Sequence, residues 1–357
     1  MNNILDLSNR GYDEENFIAD LPPDINVLNL SNNNFNILPE IPDNIQVLDL
    51  RNNINLNTLT NIPNNLKQMF IDNTQIQFTS SQKKYIKLKK IKIIDLQKLI
   101  NNAGYSLNLK KLNLSSLDYT LPQSISVIEA NYNKFTTLFT LPTNINQLYM
   151  KNNLLTSVNL TNYKNLQYIN FENNNITDIV FDNSTDVLYN EINLSNNKLK
   201  KLYINNCEIL IAKFNNIEDF SINYNFIKSL NLQNNNLSTL NLQKMVNLTN
   251  LNCGYNNLSD INLQDCINLQ KLYINNNQLQ NINLNNNKKL EDLFLQDNNL
   301  SNINLSENIF IEHLNLSENK LHNFDISHLN KLHTCEINYN SLESLILPQN
   351  CVILYCN

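Results

Sequence analysis

Leu269-Gln270-Lys271-Leu272-Tyr273-Ile274-Asn275-Asn276-Asn277-Gln278-Leu279 is the stretch that decides how this chain folds. Leucine or isoleucine stands at its first, fourth, sixth and eleventh positions, and asparagine at its ninth. The same phrase reopens at Leu248, Leu290, Ile311 and Leu332, each 21 residues from the one before. Followed backwards it opens at Ile227, Cys207, Tyr189, Leu166, Ile145, Ile125, Leu109, Leu88, Leu66, Ile45 and Ile25, with a degenerate start near Asn2. A fixed period of about 20 to 29 residues with this spacing is the signature of a stacked solenoid. About sixteen repeats account for nearly all 357 residues. The expected organisation is a degenerate repeat or cap over 1–24, a solenoid over 25–347 and a partial repeat or cap over 348–357.

The fourth and sixth positions share one face of a short strand, so both point inward. The first and eleventh turn the corners and complete the core. The ninth is asparagine in most repeats, among them Asn33, Asn53, Asn153, Asn256, Asn277, Asn298 and Asn319. A buried carboxamide both donates and accepts, so it can bond the backbone groups that a tight corner leaves unpaired. This ladder breaks once, where Thr74, Leu96 and Leu117 take the ninth place. Within that break, Asp95 to Gly104 reads as a short helix with Asp95 as its start and Gly104 as its end.

The pattern resembles the leucine-rich-repeat family over residues 25–347. Leu38-Pro39-Glu40-Ile41-Pro42, Ile62-Pro63, Leu121-Pro122 and Leu141-Pro142 resemble the short proline-containing repeats of some bacterial effectors. From Ile227 on, the second half of each repeat echoes the first, as in Leu258-x-x-Ile261-x-Leu263 after Leu248-x-x-Leu251-x-Cys253. That nested period is similar to a repeat class of bacteria and large DNA viruses. The resemblance implies a curved horseshoe. Its parallel sheet would form the concave face, with short strands, turns and an occasional short helix on the convex one. Alternation in both halves predicts two short strands per turn.

Composition narrows the function classes. The formal net charge of −6 gives no general affinity for nucleic acid or an anionic membrane. Asparagine makes up about a fifth of the chain and glycine only 3 residues, so asparagine is expected at left-handed turns. The start Met1-Asn2-Asn3-Ile4-Leu5-Asp6 lacks an apolar leader and no apolar run is long enough to span a bilayer, which predicts an intracellular protein. Cys207, Cys253 and Cys335 fall at core positions, as does Cys356 in the terminal partial repeat, and read as small hydrophobes. The four histidines, His313, His322, His328 and His333, match no metal spacing. No nucleotide loop or nucleophile motif is present, and catalytic residues, cofactors and metals are all expected to be absent. One basic run stands out, from Lys83 through Lys92 with Lys110 and Lys111 beyond, and reads as a solvated face.

Positions three, five, seven and eight point away from the core and line the sheet. Read down the fifth position, the column is mostly polar, with Asn29, Asp49, Lys92, Asn113, Asn170, Asn252 and Asn315 among its members. It turns aromatic at Tyr273 and Phe294 in adjacent repeats, whose rings are expected about 5 Å apart, one strand spacing. With Tyr255, Lys271, Asp292 and His313 they form the first candidate binding patch. Tyr149, Lys151, Tyr168 and Glu172 form a second. Aromatics framed by charge have the profile of an interface hot spot. The expected function is a non-enzymatic, monomeric, intracellular protein-interaction module, an adaptor or effector-like binder using its concave face. The alternative is a structural or scaffold component, for instance of a particle.

Overall fold

Repeat after repeat, the fourth and sixth side chains leave a short strand of three to five residues on the same side and close onto those of the coils before and after. Leu272, Ile274, Leu269 and Leu279 have no exposed surface, and the same four positions are buried in the repeats from Leu290 and Ile311. No single coil could shield these groups; the stack does it jointly. The structure is a computed structural model. It describes every residue except 1, 2, 18–20, 183, 185, 186, 224, 225, 350, 352, 356 and 357. Cys356 therefore lies outside the described residues.

The chain packs as two units, 1–103 and 104–357. The first carries a five-stranded parallel sheet that runs in chain order from Ile4–Asp6 to Lys92–Ile94. The second carries a thirteen-stranded parallel sheet, again in chain order, from Ser106–Asn108 to Ile353–Tyr355. Each strand aligns residue for residue with the next, as Lys271 with Asp292 and Tyr273 with Phe294. No helix among the described residues is long and apolar enough to cross a membrane.

The asparagine ladder fastens coil to coil. Asn277 Nδ2 donates to the Ile274 carbonyl of its own strand and to the Cys253 carbonyl of the coil before, both at 3.1 Å. Its Oδ1 accepts the Leu258 N–H at 2.9 Å. The same triad recurs at Asn298, Asn256 and Asn174. The eighth position is the left-handed corner: Asn276 has φ 53°, Asn196 56° and Asn152 56°. Asparagine tolerates this region better than other side chains, which explains its use where glycine is scarce.

Three expectations need correction. The first is the register of two repeats. Leu107 aligns with Ile128, and Ile93 with Met69. The fifth positions are therefore Asn108 and Ile94, not Asn113 and Lys92, and the ninth position of the later repeat is Leu112, not Leu117. Leu107-x-Leu109 and Leu112-x-Leu114 offer the same alternation five residues apart. The first pair wins because both its leucines are fully buried and the Leu109 carbonyl receives the Asn133 carboxamide at 2.8 Å.

The second concerns helices, of which there are two among the described residues. Helix α1 (Ser80–Lys89) starts on a capping box, with the Thr79 hydroxyl accepting the Gln82 N–H and the Gln82 side chain accepting the Thr79 N–H. It ends on left-handed Lys90, φ 55°. Helix α2 (Leu96–Asn101) is capped by Asp95 as expected, but stops at Asn102 rather than at Gly104.

The third concerns the second strand of each coil. It forms at Ile37–Leu38 with Thr58–Leu59, Ser157–Asn159 with Asp178–Val180, Lys201–Ile204 with Asp219–Ile222, and Asn323–Asp325 with Ser344–Ile346. It is absent between 237 and 305, where the nested period is most regular. There adjacent coils bond at the tenth position, Gln278 N–H to Leu258 O and Asn299 N–H to Leu279 O, both at 2.8 Å. Beyond it, Asn241, Asn262, Asn283 and Asn304 each accept the N–H two residues on, which turns the chain instead of extending it. Beside these turns lies a groove of 560 Å³ lined by Asn262, Asn281, Asn283 and Asn302.

Candidate recognition surface

On the outward face of the thirteen-stranded sheet, the fifth position has a structural task. Where it is asparagine, its Oδ1 accepts the N–H of the seventh residue and ends the strand. Asn170 does so for Glu172, Asn231 for Gln233, Asn252 for Gly254 and Asn315 for Ser317, at 3.0–3.2 Å. Phe294 has no acceptor, and the Tyr273 hydroxyl is engaged with Asp292. Among the described residues, no side chain caps the N–H of Asn275 or Gln296. Two local hydrogen bonds are forgone, each worth about 1 kcal/mol.

In their place stands a ring pair. Tyr273 and Phe294 stack with centroids 5.0 Å apart and planes 27° from parallel, both half-buried. Asp292 anchors the group. Its Oδ2 receives Lys271 Nζ at 2.7 Å and the Tyr273 hydroxyl at 3.1 Å. The Lys271 amine is pushed up by this hydrogen bond, and the Tyr273 hydroxyl is pushed up by burial and then by the Asp292 charge. His313, next along the third position, has Nδ1 2.9 Å from the Thr334 hydroxyl and lies 6.3 Å from the His333 ring. Lys271, Tyr273, Asp292, Phe294 and His313 are thus brought together on neighbouring strands.

Tyr255 is placed elsewhere. It follows the strand residue Asn252, the partner of Tyr273, by three positions, and sits on the left-handed corner with φ 55° and 47% of its surface exposed. It belongs to a row of corner residues with Phe214 and Tyr339.

The second group is arranged differently. Tyr149 faces Asn170 and Tyr168 faces Gln147, so the two rings are diagonal rather than aligned. Their polar atoms are engaged within the sheet. The Tyr149 hydroxyl donates to Gln147, Tyr168 accepts from Asn190, and Lys151 pairs with Glu172 at 2.8 Å. Burial, followed by the Glu191 charge, pushes the Tyr149 hydroxyl up, and the Glu172 hydrogen bond raises Lys151.

A feature that sequence reasoning passed over lies on the sheet of the first unit. Arg51 pairs with Asp49 at 2.6 Å, both side chains nearly buried, and the guanidinium lies 5.3 Å from the Phe70 ring centre. The only signal for it was the adjacency of Asp49 and Phe70 in the fifth-position column.

Comparison with known proteins bears on the fold. The sequence matches no protein-family profile, and no curated protein is significantly similar to it. Solved structures are similar. The functional domain of InlJ from Listeria monocytogenes aligns over 71% of this chain and 53% of its own, with 21% identity and a TM-score of 0.56. This chain thus spans about half the length of that domain. YopM, a leucine-rich effector protein from Yersinia pestis, aligns over 73% of this chain and 91% of its own, with 24% identity and a TM-score of 0.55. The fold is that of the leucine-rich-repeat proteins. A chain of the Drosophila Toll–Spatzle complex shares it over 91% of this chain and 49% of its own, at 17% identity and a TM-score of 0.55. In leucine-rich-repeat terms, the ring pair occupies the last strand residue of two consecutive repeats, on the outward face. Among the described residues, no three His, Cys, Asp or Glu side chains are grouped to hold a metal ion.

Proposed function

We propose that this leucine-rich-repeat chain is a protein-recognition module, and that its binding surface centres on the Tyr273–Phe294 stack. The observation that carries the reading is the substitution of two strand-ending asparagines by rings that end nothing. A residue kept at the expense of local hydrogen bonding, half-exposed and flanked by charge, fits an anchor for a partner. The Toll–Spatzle structure is one of a complex, which supports reading this fold as a binding surface.

The surroundings indicate the partner's chemistry. Glu291, Asp292, Glu312 and Glu336 lie on or next to the strands that carry and follow the stack, with Lys271 among them. The frame is anionic, so the partner segment is cationic. An arginine or lysine from it would lie over the Tyr273 or Phe294 face and pair with the surrounding carboxylates.

The test uses the double variant Tyr273→Asn/Phe294→Asn, which restores both caps. Its stability is expected within about 1 kcal/mol of wild type, since the regained hydrogen bonds offset the lost stack. Partners captured from host-cell lysate by wild type should be lost by this variant, and the lost partner should bind more weakly as salt rises. Retention of every partner by the well-folded variant would discard this surface.

A further inference from the structure

Among the described residues, helix α1 is the one place where the second half of a coil becomes a full helix, and it is loosely seated. None of its residues is buried; it rests on the core of the first unit through half-buried Tyr85 and Ile86. The Tyr85 hydroxyl donates to Asn64 Oδ1 at 2.9 Å, which fixes the helix on its inner side. The opposite side carries Lys83, Lys84 and Lys87, and Leu88 lies one turn beyond Lys84. Lys89 and Lys90 close the helix. The segment contains no carboxylate, and none of these five lysines forms an ion pair with a described residue. The carboxylate whose charge couples to Lys89 is Asp43, which is held by Asn64. Leu88 is 76% exposed, more than any other large apolar side chain among the described residues.

We infer that α1 is a docking surface for an anionic lipid bilayer. Lys83, Lys84, Lys87 and Lys90, with Lys89 beside them over the Tyr85 ring, supply attraction to acidic headgroups, and Leu88 supplies an apolar side chain at the depth where headgroups meet acyl chains. A soluble polyanion would use the lysines but has no need of the leucine. Lysine stems can lie along the interface with their amines in the headgroup layer, so leucine and lysines need not compete for position. The net charge of −6 does not oppose this, because surface fields are screened within about 10 Å and the patch acts locally.

The experiment is co-flotation of the full chain with phosphatidylcholine vesicles, with and without phosphatidylserine. Binding is expected only with phosphatidylserine. Lys84→Gln/Lys87→Gln should weaken it by about fivefold for each lysine removed. Leu88→Gln, with every lysine kept, should weaken it by about tenfold. All three side chains are exposed, so melting curves should not move. Equal binding to both vesicle types overturns the inference. So does undiminished binding by Leu88→Gln, and capture of duplex DNA or polyglutamate in that case would identify the face as a site for soluble polyanions.

Discussion

The Asn277 carboxamide donates to the Cys253 carbonyl, 24 residues earlier in the chain, at 3.1 Å. One side chain therefore serves two coils, and its removal costs hydrogen bonds on both. Asn277→Ala leaves the Ile274 and Cys253 carbonyls short of a donor and the Leu258 N–H without an acceptor. The expected loss is about 3 kcal/mol, measured by urea unfolding, against less than about 0.5 kcal/mol for the exposed neighbour Gln278→Ala. Comparable losses in the two variants would refute the ladder's role.

At Tyr339 the opposite change is expected to help. This residue takes φ 54° with 69% of its surface exposed, so its ring gains little to offset a left-handed backbone. Tyr339→Asn should stabilise the chain by about 0.5–1 kcal/mol. A lower melting temperature would show that the ring makes a contribution its exposure does not reveal.

Asp72 makes the first unit sensitive to pH. Burial raises its pKa above the ordinary carboxylate value, although the Gln97 N–H at 2.7 Å favours the charged form. The folded state thus holds this proton more tightly than the unfolded chain. The resulting stability is present below the ordinary value and is lost as pH rises through the raised one. Asp72→Asn, which keeps an acceptor for Gln97, should be more stable than wild type at about pH 7, with the difference shrinking towards about pH 4. Equal stability of the two chains at neutral pH would count against the assignment.

The core thiols should be silent while the chain is folded. Burial pushes Cys207 and Cys266 up to about 12 and Cys253 higher still. A thiolate-selective reagent at about pH 8 should label these three only as fast as the coils open, and denaturant should accelerate the labelling sharply. Rapid modification of Cys253 in the native chain, seen by peptide mapping, would contradict this packing.

The fold was legible because its information is periodic: the apolar positions and the ninth asparagine repeat often enough to outweigh local noise. Legibility failed where the period offered two solutions. Leu107-x-Leu109 and Leu112-x-Leu114 are equivalent as text, and only burial and the Asn133 bond distinguish them. Helix α1 was signalled by Thr79-x-x-Gln82, but the lysines that follow were read as charge rather than as a helix. The second strands between 237 and 305 looked certain from alternation, yet a strand needs a neighbour within bonding distance, and alternation says nothing of that distance. A buried carboxamide pair shows the same limit. Asn287 and Asn308 have no exposed surface and donate to carbonyls of the coil before, but each appears too rarely in its column to be recognised. The aromatic pair was visible as an interruption in a column; that the interruption removes a strand-ending bond required coordinates.

The absence of second strands between 237 and 305 has a consequence for how this chain can be altered. In that stretch adjacent coils are joined at the tenth position and again beyond the turns, where Asn287 and Asn308 reach the coil before, while the exposed residues between, Gln280 and Asn281, carry no hydrogen bond to a described residue of a neighbouring coil. Extra residues spliced between Gln280 and Asn281 would lengthen that coil alone, leaving its neighbours' register intact. A reporter or an additional binding loop could be carried there with the sheet face undisturbed.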